Sequence, residues 1–320
     1  TLNSAGGTAT LAQWQAALRA VNYSNSSDDP SNAARTVSFT VNDGAANSNT
    51  MTSTVTVTAV NDAPSLATSS TLHYTENDPA TAVNTALTIS DPDSGRLAGA
   101  TVSISGNFAV GQDVLVFTNE LSTMGDIAAD FNSDTGVMTL ASASNTATLT
   151  EWQAALRTVQ YRNSSDNPSS ATRTVAFTVN DGVADSEALA STVNVSAVND
   201  APTFAGLPAA PQAVVAGVAA PLADFTVADL DNAILTLTLT PTNATLTGLV
   251  DANGAAPGIQ LTGSAASINA AVAAATVTVI AEGAATVALS LSDGITSTDA
   301  SYGFAATTTP PEVTNPEDNA

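Results

Sequence analysis

The sequence predicts an all-β protein built of tandem Greek-key β-sandwich repeats, each with one short helix. Three observations predict it. Short Val- and Thr-rich runs recur between Asn, Asp and Gly turns, the pattern of half-buried strands. A long internal repeat divides the chain. Each repeat holds a single segment of helical period, behind a capping signal in the two more similar copies.

The repeat sets the organisation. Residues 1–64 align without a gap on 139–202, at an offset of 138, with 44 identities in 64 positions. "WQAALR", "NSSD", "FTVNDG" and "AVNDAP" each occur twice at that spacing. "TISDPDSG" (88–95) meets "TVADLDNA" (226–233) at the same offset of 138, which marks a divergent third copy. The reading is therefore a C-terminal half-repeat at 1–62, a complete repeat at 63–200 and a divergent one at 201–306. A Pro/Thr/acidic linker follows at 307–320. The chain reads as a piece of a longer one.

The elements follow in order. Thr148 with Glu151, and Thr10 with Gln13, form capping boxes for one helix per repeat. Leu149, Trp152 and Leu156 share a helical face, so Trp14 and Trp152 read as core plugs. In the complete repeat, strands are expected at about 68–75, 84–90, 100–106, 114–118, 136–140, 157–161, 172–179 and 189–198. Period-2 alternation is plain in "TVAFTV" (174–179). "DFNSDTG" (130–136) reads as a hairpin turn.

Composition excludes several classes. There are 29 acidic residues against 6 basic ones, a net charge of −23. All six basic residues are Arg, and none follows Arg173. A nucleic-acid partner is excluded, because phosphate neutralisation needs clustered Lys and Arg. Membrane insertion is not expected, since no long apolar run is present. Cysteine is absent, which removes disulfides and thiol chemistry. Zero Cys with extreme acidity suits a secreted protein. Catalysis finds little footing: His73 is the one histidine and falls on a strand, with no nucleophile-elbow motif.

The acids are patterned. Strands that alternate direction place successive turns at opposite ends of a sandwich, so each linker should collect acids from both neighbouring repeats. The first linker gathers Asp28, Asp29, Asn61, Asp62, Asp91, Asp93 and Asp181. The second gathers Glu76, Asp166, Asn199, Asp200, Asp229, Asp231 and Asp293. Oxygen-only donors without His or Cys are the set Ca²⁺ takes. The same Asn-Asp-Gly and Asp-Pro-Asp segments are also complete turn chemistry with no ligand.

"HYTENDPATAVNTALTISDPDSG" (73–95), with its Glu-Asn and Asp-x-Asp, resembles the opening of a cadherin repeat. "FTVNDG" and "VNDAP" resemble that family's later Asp-Gly turn and its interdomain linker. The units are similar to cadherin-like and bacterial immunoglobulin-like tandem repeats of large secreted adhesins, including RTX-type ones. The resemblance implies Ca²⁺ at the junctions. It departs at Ala59 and Ala197, where the cadherin linker has a further Asp, and at Val214, opposite Glu76.

The expected function is that of a non-enzymatic stalk in a large extracellular bacterial adhesin, stiffened by Ca²⁺ at its linkers. Its first partners would be neighbouring repeats of the same parent chain, and an unknown surface receptor or glycan. One alternative is a filament subunit completed by other copies of itself. Another is a carbohydrate- or protein-binding module.

Overall fold

The computed structural model describes residues 1–254 and 257–308; most of the expected 307–320 linker lies outside them. The described chain forms two compact units. The first comprises Thr1–Leu72, Ala80–Tyr161 and Arg173–Val193; the second comprises His73–Pro79, Arg162–Thr172 and the chain from Asn194.

In the half-repeat, helix α1 (Leu11–Arg19) precedes an antiparallel pair, β1 (Arg35–Phe39) and β2 (Met51–Val55). Thr10 and Gln13 form the expected capping box on α1.

The complete repeat runs β3 (Ser65–Ala67), β4 (Thr71–Thr75), β5 (Thr81–Ala82), β6 (Thr88–Ser90), β7 (Gly99–Gly106) and β8 (Asp113–Val116). There follow α2 (Leu121–Met124), β9 (Ile127–Asn132), β10 (Val137–Ser142), α3 (Leu149–Arg157), β11 (Gln160–Asn163), β12 (Arg173–Asn180) and β13 (Leu189–Ser196). One sheet has the order β4-β13-β12-β7-β10-β9, a second β5-β11-β8, and a small third pairs β3 with β6. Strand β12 alternates buried and half-buried along its whole length, as "TVAFTV" requires. Its inward Val175 and Phe177 join Leu115, Trp152, Leu156 and Tyr161 in the first unit's core.

Two features depart from expectation. The complete repeat has two helices rather than one. The extra one, α2, packs against α3 and buries Met124, and the Asn119 side chain holds the turn behind it by donating to the Gly125 carbonyl. Strand β9 was not expected either. It pairs in register with β10 across the 130–136 hairpin, whose turn Asn132 closes by accepting from the Asp134 and Thr135 amides. Only Ile127, Ala129 and Phe131 turn inward there, a weak signal for a strand.

The third repeat runs β14 (Thr203–Ala205), β15 (Gln212–Val215), β16 (Ala219–Pro221), β17 (Thr226–Ala228), β18 (Leu235–Thr242), β19 (Ala244–Thr247) and β20 (Ile259–Gly263). Helix α4 (Ala265–Ala274), β21 (Thr276–Val279), β22 (Gly283–Ser292) and β23 (Ser297–Thr307) complete it. Its sheets are β15-β23-β22-β18-β20, β16-β21-β19 and β14-β17. The small sheets of the two repeats match residue for residue: Leu66 faces Ile89, and Phe204 faces Val227. The divergent copy is thus the same fold.

The two cores are held differently. In the complete repeat, Asp113 is buried and accepts from Tyr161 Oη at 2.5 Å, Arg173 Nε at 3.2 Å and the Ala109 amide at 2.8 Å. The third repeat uses an aromatic chain instead. Phe204, Phe225, Tyr302 and Phe304 follow one another with ring centroids 5.4–5.9 Å apart. Burial of Tyr302 pushes its phenol up to about 12.

Breaking a buried ion pair from one side strands a charge. Arg173→Met should therefore cost about 3–5 kcal/mol. Arg35→Met, the matching change in the half-repeat, should cost less than about 1 kcal/mol because Arg35 is not fully buried. Urea unfolding monitored by circular dichroism distinguishes them; equal effects would contradict the structure.

Candidate metal centres

Both linkers are gripped from the side of the repeat that follows them. At the first, the Asp62 amide donates to Asp93 Oδ2 at 2.9 Å. The Asn61 side chain donates to Asp181 Oδ2 at 2.9 Å and to the Asp62 carbonyl at 3.0 Å. At the second linker the same bonds recur. The Asp200 amide donates to Asp231 Oδ2 at 2.5 Å, and the Asn199 side chain donates to Asp293 Oδ2 at 2.7 Å and to the Asp200 carbonyl at 2.9 Å.

Local turn chemistry explains how the acids are held. Asp91 Oδ1 accepts the amides of Asp93 and Ser94, and Asp229 Oδ1 accepts those of Asp231 and Asn232. These Asx turns use one oxygen of each carboxylate and leave the other free. Asp181 and Asp293 sit in the late hairpin, followed by Gly182 at φ +100° and Gly294 at φ +93°. Only glycine enters that region freely, which accounts for the Asp-Gly sequence. Each Asp accepts the two amides that follow its Gly, those of Val183 and Ala184 or of Ile295 and Thr296.

Glu76 lies in the turn after β4. It is only 4% exposed, and its Oε2 accepts the Val198 amide at 2.7 Å, just before the second linker. Asp28 and Asp166 are exposed. Among the described residues neither hydrogen-bonds to the linker acids. The residue beside Asp166 reaches the turn that carries two of them: the Asn167 side chain donates to the carbonyl of Leu230, between Asp229 and Asp231. Asn232 and Thr296 were not anticipated. The Asn232 side chain donates from Nδ2 to Asn199 Oδ1 at 2.9 Å, and the Thr296 hydroxyl donates to Asp293 at 3.0 Å. Adjacency to Asp231 and to the Asp-Gly turn was the available signal.

The carboxylates divide by environment. At Asp91 burial raises the carboxyl above its ordinary value, and neighbouring Asp93 adds to the rise. At Asp293 the Asn199 side chain leads in holding the group well below the usual range, joined by the Thr296 and Ile295 amides. Burial would raise Asp181, but the Ala184 amide, the Asn61 side chain and the Val183 amide outweigh it and lower the group.

Six carboxylate oxygens in these clusters are buried without any hydrogen-bond partner. They are Oδ2 of Asp91 and Oδ1 of Asp93 at the first linker, and Oε1 of Glu76 with one oxygen each of Asp200, Asp229 and Asp231 at the second. Bare buried carboxylate oxygens are costly unless a cation or donor meets them. Among the described residues, however, no three His, Cys, Asp or Glu side chains are grouped tightly enough to grip a metal by themselves. The donor chemistry fits a hard, oxygen-preferring cation. The coordination would have to draw on Asn side-chain and backbone carbonyl oxygens as well.

No family model matches the chain. Over 125 residues it is 39% identical to halomucin of Haloquadratum walsbyi (strain DSM 16790 / HBSQ001), a stretch covering 38% of this chain and 1% of that protein. Among solved structures, protocadherin gamma B2 extracellular cadherin domains 1–5 match at 13% identity and TM-score 0.35, over 81% of this chain and 42% of that one. Human protocadherin-24 EC1-2 matches at 12% identity and TM-score 0.26, over 78% of this chain and all of that one. An endo-fucoidan hydrolase from glycoside hydrolase family 107 matches at 14% identity and TM-score 0.22, over 86% of this chain and 34% of that one. At these scores the structural matches carry no argument about function. Among the described residues no helix is long and apolar enough to cross a membrane.

The opposite shifts give opposite pH behaviour. Asp181 and Asp293, held low, stabilise the fold at neutral pH and lose that contribution as pH falls through their folded values. Asp91, held high, opposes folding when ionised, and acidification relieves it. Carboxyl NMR titration should show Asp91 protonating at the highest pH of the three. In Asn199→Ala, Asp293 should move up toward its ordinary value. Titration of Asp293 alongside Asp91 in the unmodified chain would contradict the assignment.

Proposed function

We propose that this chain is a non-enzymatic extender segment of a large extracellular bacterial surface protein, an adhesin in class, with Ca²⁺ held at its linkers. The observation that carries the reading is the set of six buried, unpartnered carboxylate oxygens, all on the two linkers or on turns bonded to them. Asp91, Asp93, Asp62, Asn61 and Asp181 would hold the ion at the first linker. Glu76, Asp200, Asp229, Asp231, Asn199 and Asp293 would hold it at the second, with Asp28 and Asp166 as outer ligands. Bound Ca²⁺ would supply the positive charge that the bare oxygens lack. The protein's part is to fix one oxygen of each carboxylate with an amide and aim the other.

The similarity to 1% of a very long protein supports an extender role, as does the tandem repetition. The parent's neighbouring repeats are then its first partners. Extracellular placement agrees with a chain that has no cysteine and a net charge of −23.

Small-angle scattering on the full chain, with Ca²⁺ and then with chelator, tests the reading. Chelation should raise flexibility and change the maximum dimension; an unchanged profile sinks it. Calorimetric titration with Ca²⁺ should lose the second-linker site in Glu76→Gln by about tenfold or more in affinity while the first-linker site persists.

A further inference from the structure

The turn between β4 and β5 brings together a nucleophile and a proton donor that the linker sites do not use. The chain has three Asp-Pro bonds: Asp29–Pro30, Asp78–Pro79 and Asp91–Pro92. An aspartate can attack its own backbone carbonyl through a five-membered ring, so the attack is intramolecular and needs no second molecule. Proline favours the break, because its nitrogen carries no N–H and leaves as a basic secondary amine.

The three bonds differ in their surroundings. The Asp78 carbonyl accepts a hydrogen bond from Tyr74 Oη at 2.6 Å. Tyr74 is 1% exposed, so the core fixes this phenol in place. Its other carbonyl acceptor, that of Asn163, lies further off at 3.4 Å. A fixed donor on that oxygen stabilises the oxyanion formed when the carbonyl carbon is attacked. The nucleophile belongs to the same residue. Asp78 Oδ2 accepts the Thr75 amide at 3.0 Å, while Oδ1 takes no hydrogen bond among the described residues. The Asp78 amide donates back to the Thr75 carbonyl at 3.0 Å, and Asn77 before it sits at φ +67°. Asp78 and Pro79 are both exposed, so water reaches the bond.

The other two bonds lack these features. The carbonyls of Asp29 and Asp91 accept no side-chain hydrogen bond among the described residues. Asp91 Oδ1 is tied by the amides of Asp93 and Ser94. The third repeat keeps the turn and loses its chemistry. There the Ala216 amide donates to Thr307 as the Glu76 amide donates to Ser196, and the Val218 amide donates to Val215 as the Asp78 amide donates to Thr75. Matched by these bonds rather than by sequence offset, Val214 and Val218 stand where Tyr74 and Asp78 stand, with Ala219 next.

We propose that the Asp78–Pro79 bond is a site of slow self-cleavage, with the Asp78 carboxylate as nucleophile and the Tyr74 hydroxyl as oxyanion donor. A side-chain oxygen of Asp78 bonds to the Asp78 carbonyl carbon. The carbon–nitrogen bond to Pro79 breaks, and the Pro79 nitrogen takes a proton from water. The hydroxide left behind opens the cyclic anhydride on Asp78, which leaves two carboxyl groups on that residue. One water is consumed, and the products are residues 1–78 and 79–320. The pieces stay together, because β4 lies beside β13 in one sheet and β5 beside β11 in another. This inference does not rest on a bound metal.

Incubation of the purified full chain for several weeks in neutral buffer, read by denaturing electrophoresis and intact mass, tests it. Fragments with the masses of residues 1–78 and 79–320 are expected, and they should co-elute in native gel filtration. Cutting at Asp29–Pro30 and Asp91–Pro92 should be about tenfold slower or more. Tyr74→Phe should slow the cut after Asp78 about tenfold or more, with an unchanged circular dichroism spectrum. Asp78→Asn, which keeps an acceptor for the Thr75 amide, should suppress it. Chain unfolded in urea gives a reading that needs no variant: the preference for Asp78–Pro79 should vanish and the three bonds should cut at similar rates. An uncut chain, equal cutting at the three bonds in the folded protein, or a cut indifferent to Tyr74→Phe overturns the proposal.

Discussion

The linker geometry depends on one hydrogen bond, from the backbone amide of the linker aspartate to the second aspartate of the Asp-x-Asp turn. It is 2.9 Å from Asp62 to Asp93 and 2.5 Å from Asp200 to Asp231. A backbone donor cannot rotate away as a side chain can. It therefore fixes where the linker passes the turn, and with it which carboxylate oxygens are left bare. The Asn61–Asp181 and Asn199–Asp293 bonds then tie the late hairpin to the same point. A cation would complete an arrangement whose protein part is already set by amides.

That arrangement is electrostatically expensive in isolation. With 29 acids against 6 arginines, and no basic residue after Arg173, few side chains can neutralise it. Burial raises the Asp91 carboxyl, and neighbouring Asp93 adds a smaller rise. Asp181 and Asp293 escape the same fate because amides and an Asn side chain point at them. The chain thus concentrates negative charge at its linkers and supports it locally with dipoles.

The cores follow another logic. The complete repeat buries one acid, one phenol and one guanidinium as a closed group, which is satisfied only when both halves of the sandwich are present. The third repeat relies on packed aromatic rings instead. The first solution is sensitive to change, because removing one partner strands a charge. The second tolerates divergence, because apolar packing is non-directional.

The sequence by itself determined the all-β class, the repeat and its offset, the capped helices and the identity of the acids near each linker. These follow from local rules: period-2 alternation, capping boxes, Asp-Gly turns. Helix α2 and strand β9 escaped it, because Met124 and the inward face of β9 are defined by contacts with α3 and β10. The roles of Asn167, Asn232 and Thr296 escaped it for the same reason. Each acts through a partner far away in the chain or through a turn whose shape the sequence does not print. Asp28 and Asp166 show the converse: the loop argument grouped them with the linker acids, yet both are exposed and, among the described residues, neither hydrogen-bonds to those acids. Only the tertiary structure decided which oxygens of Asp93, Asp231 and Glu76 are taken by an amide, because that depends on where the backbone at Asp62, Asp200 and Val198 passes.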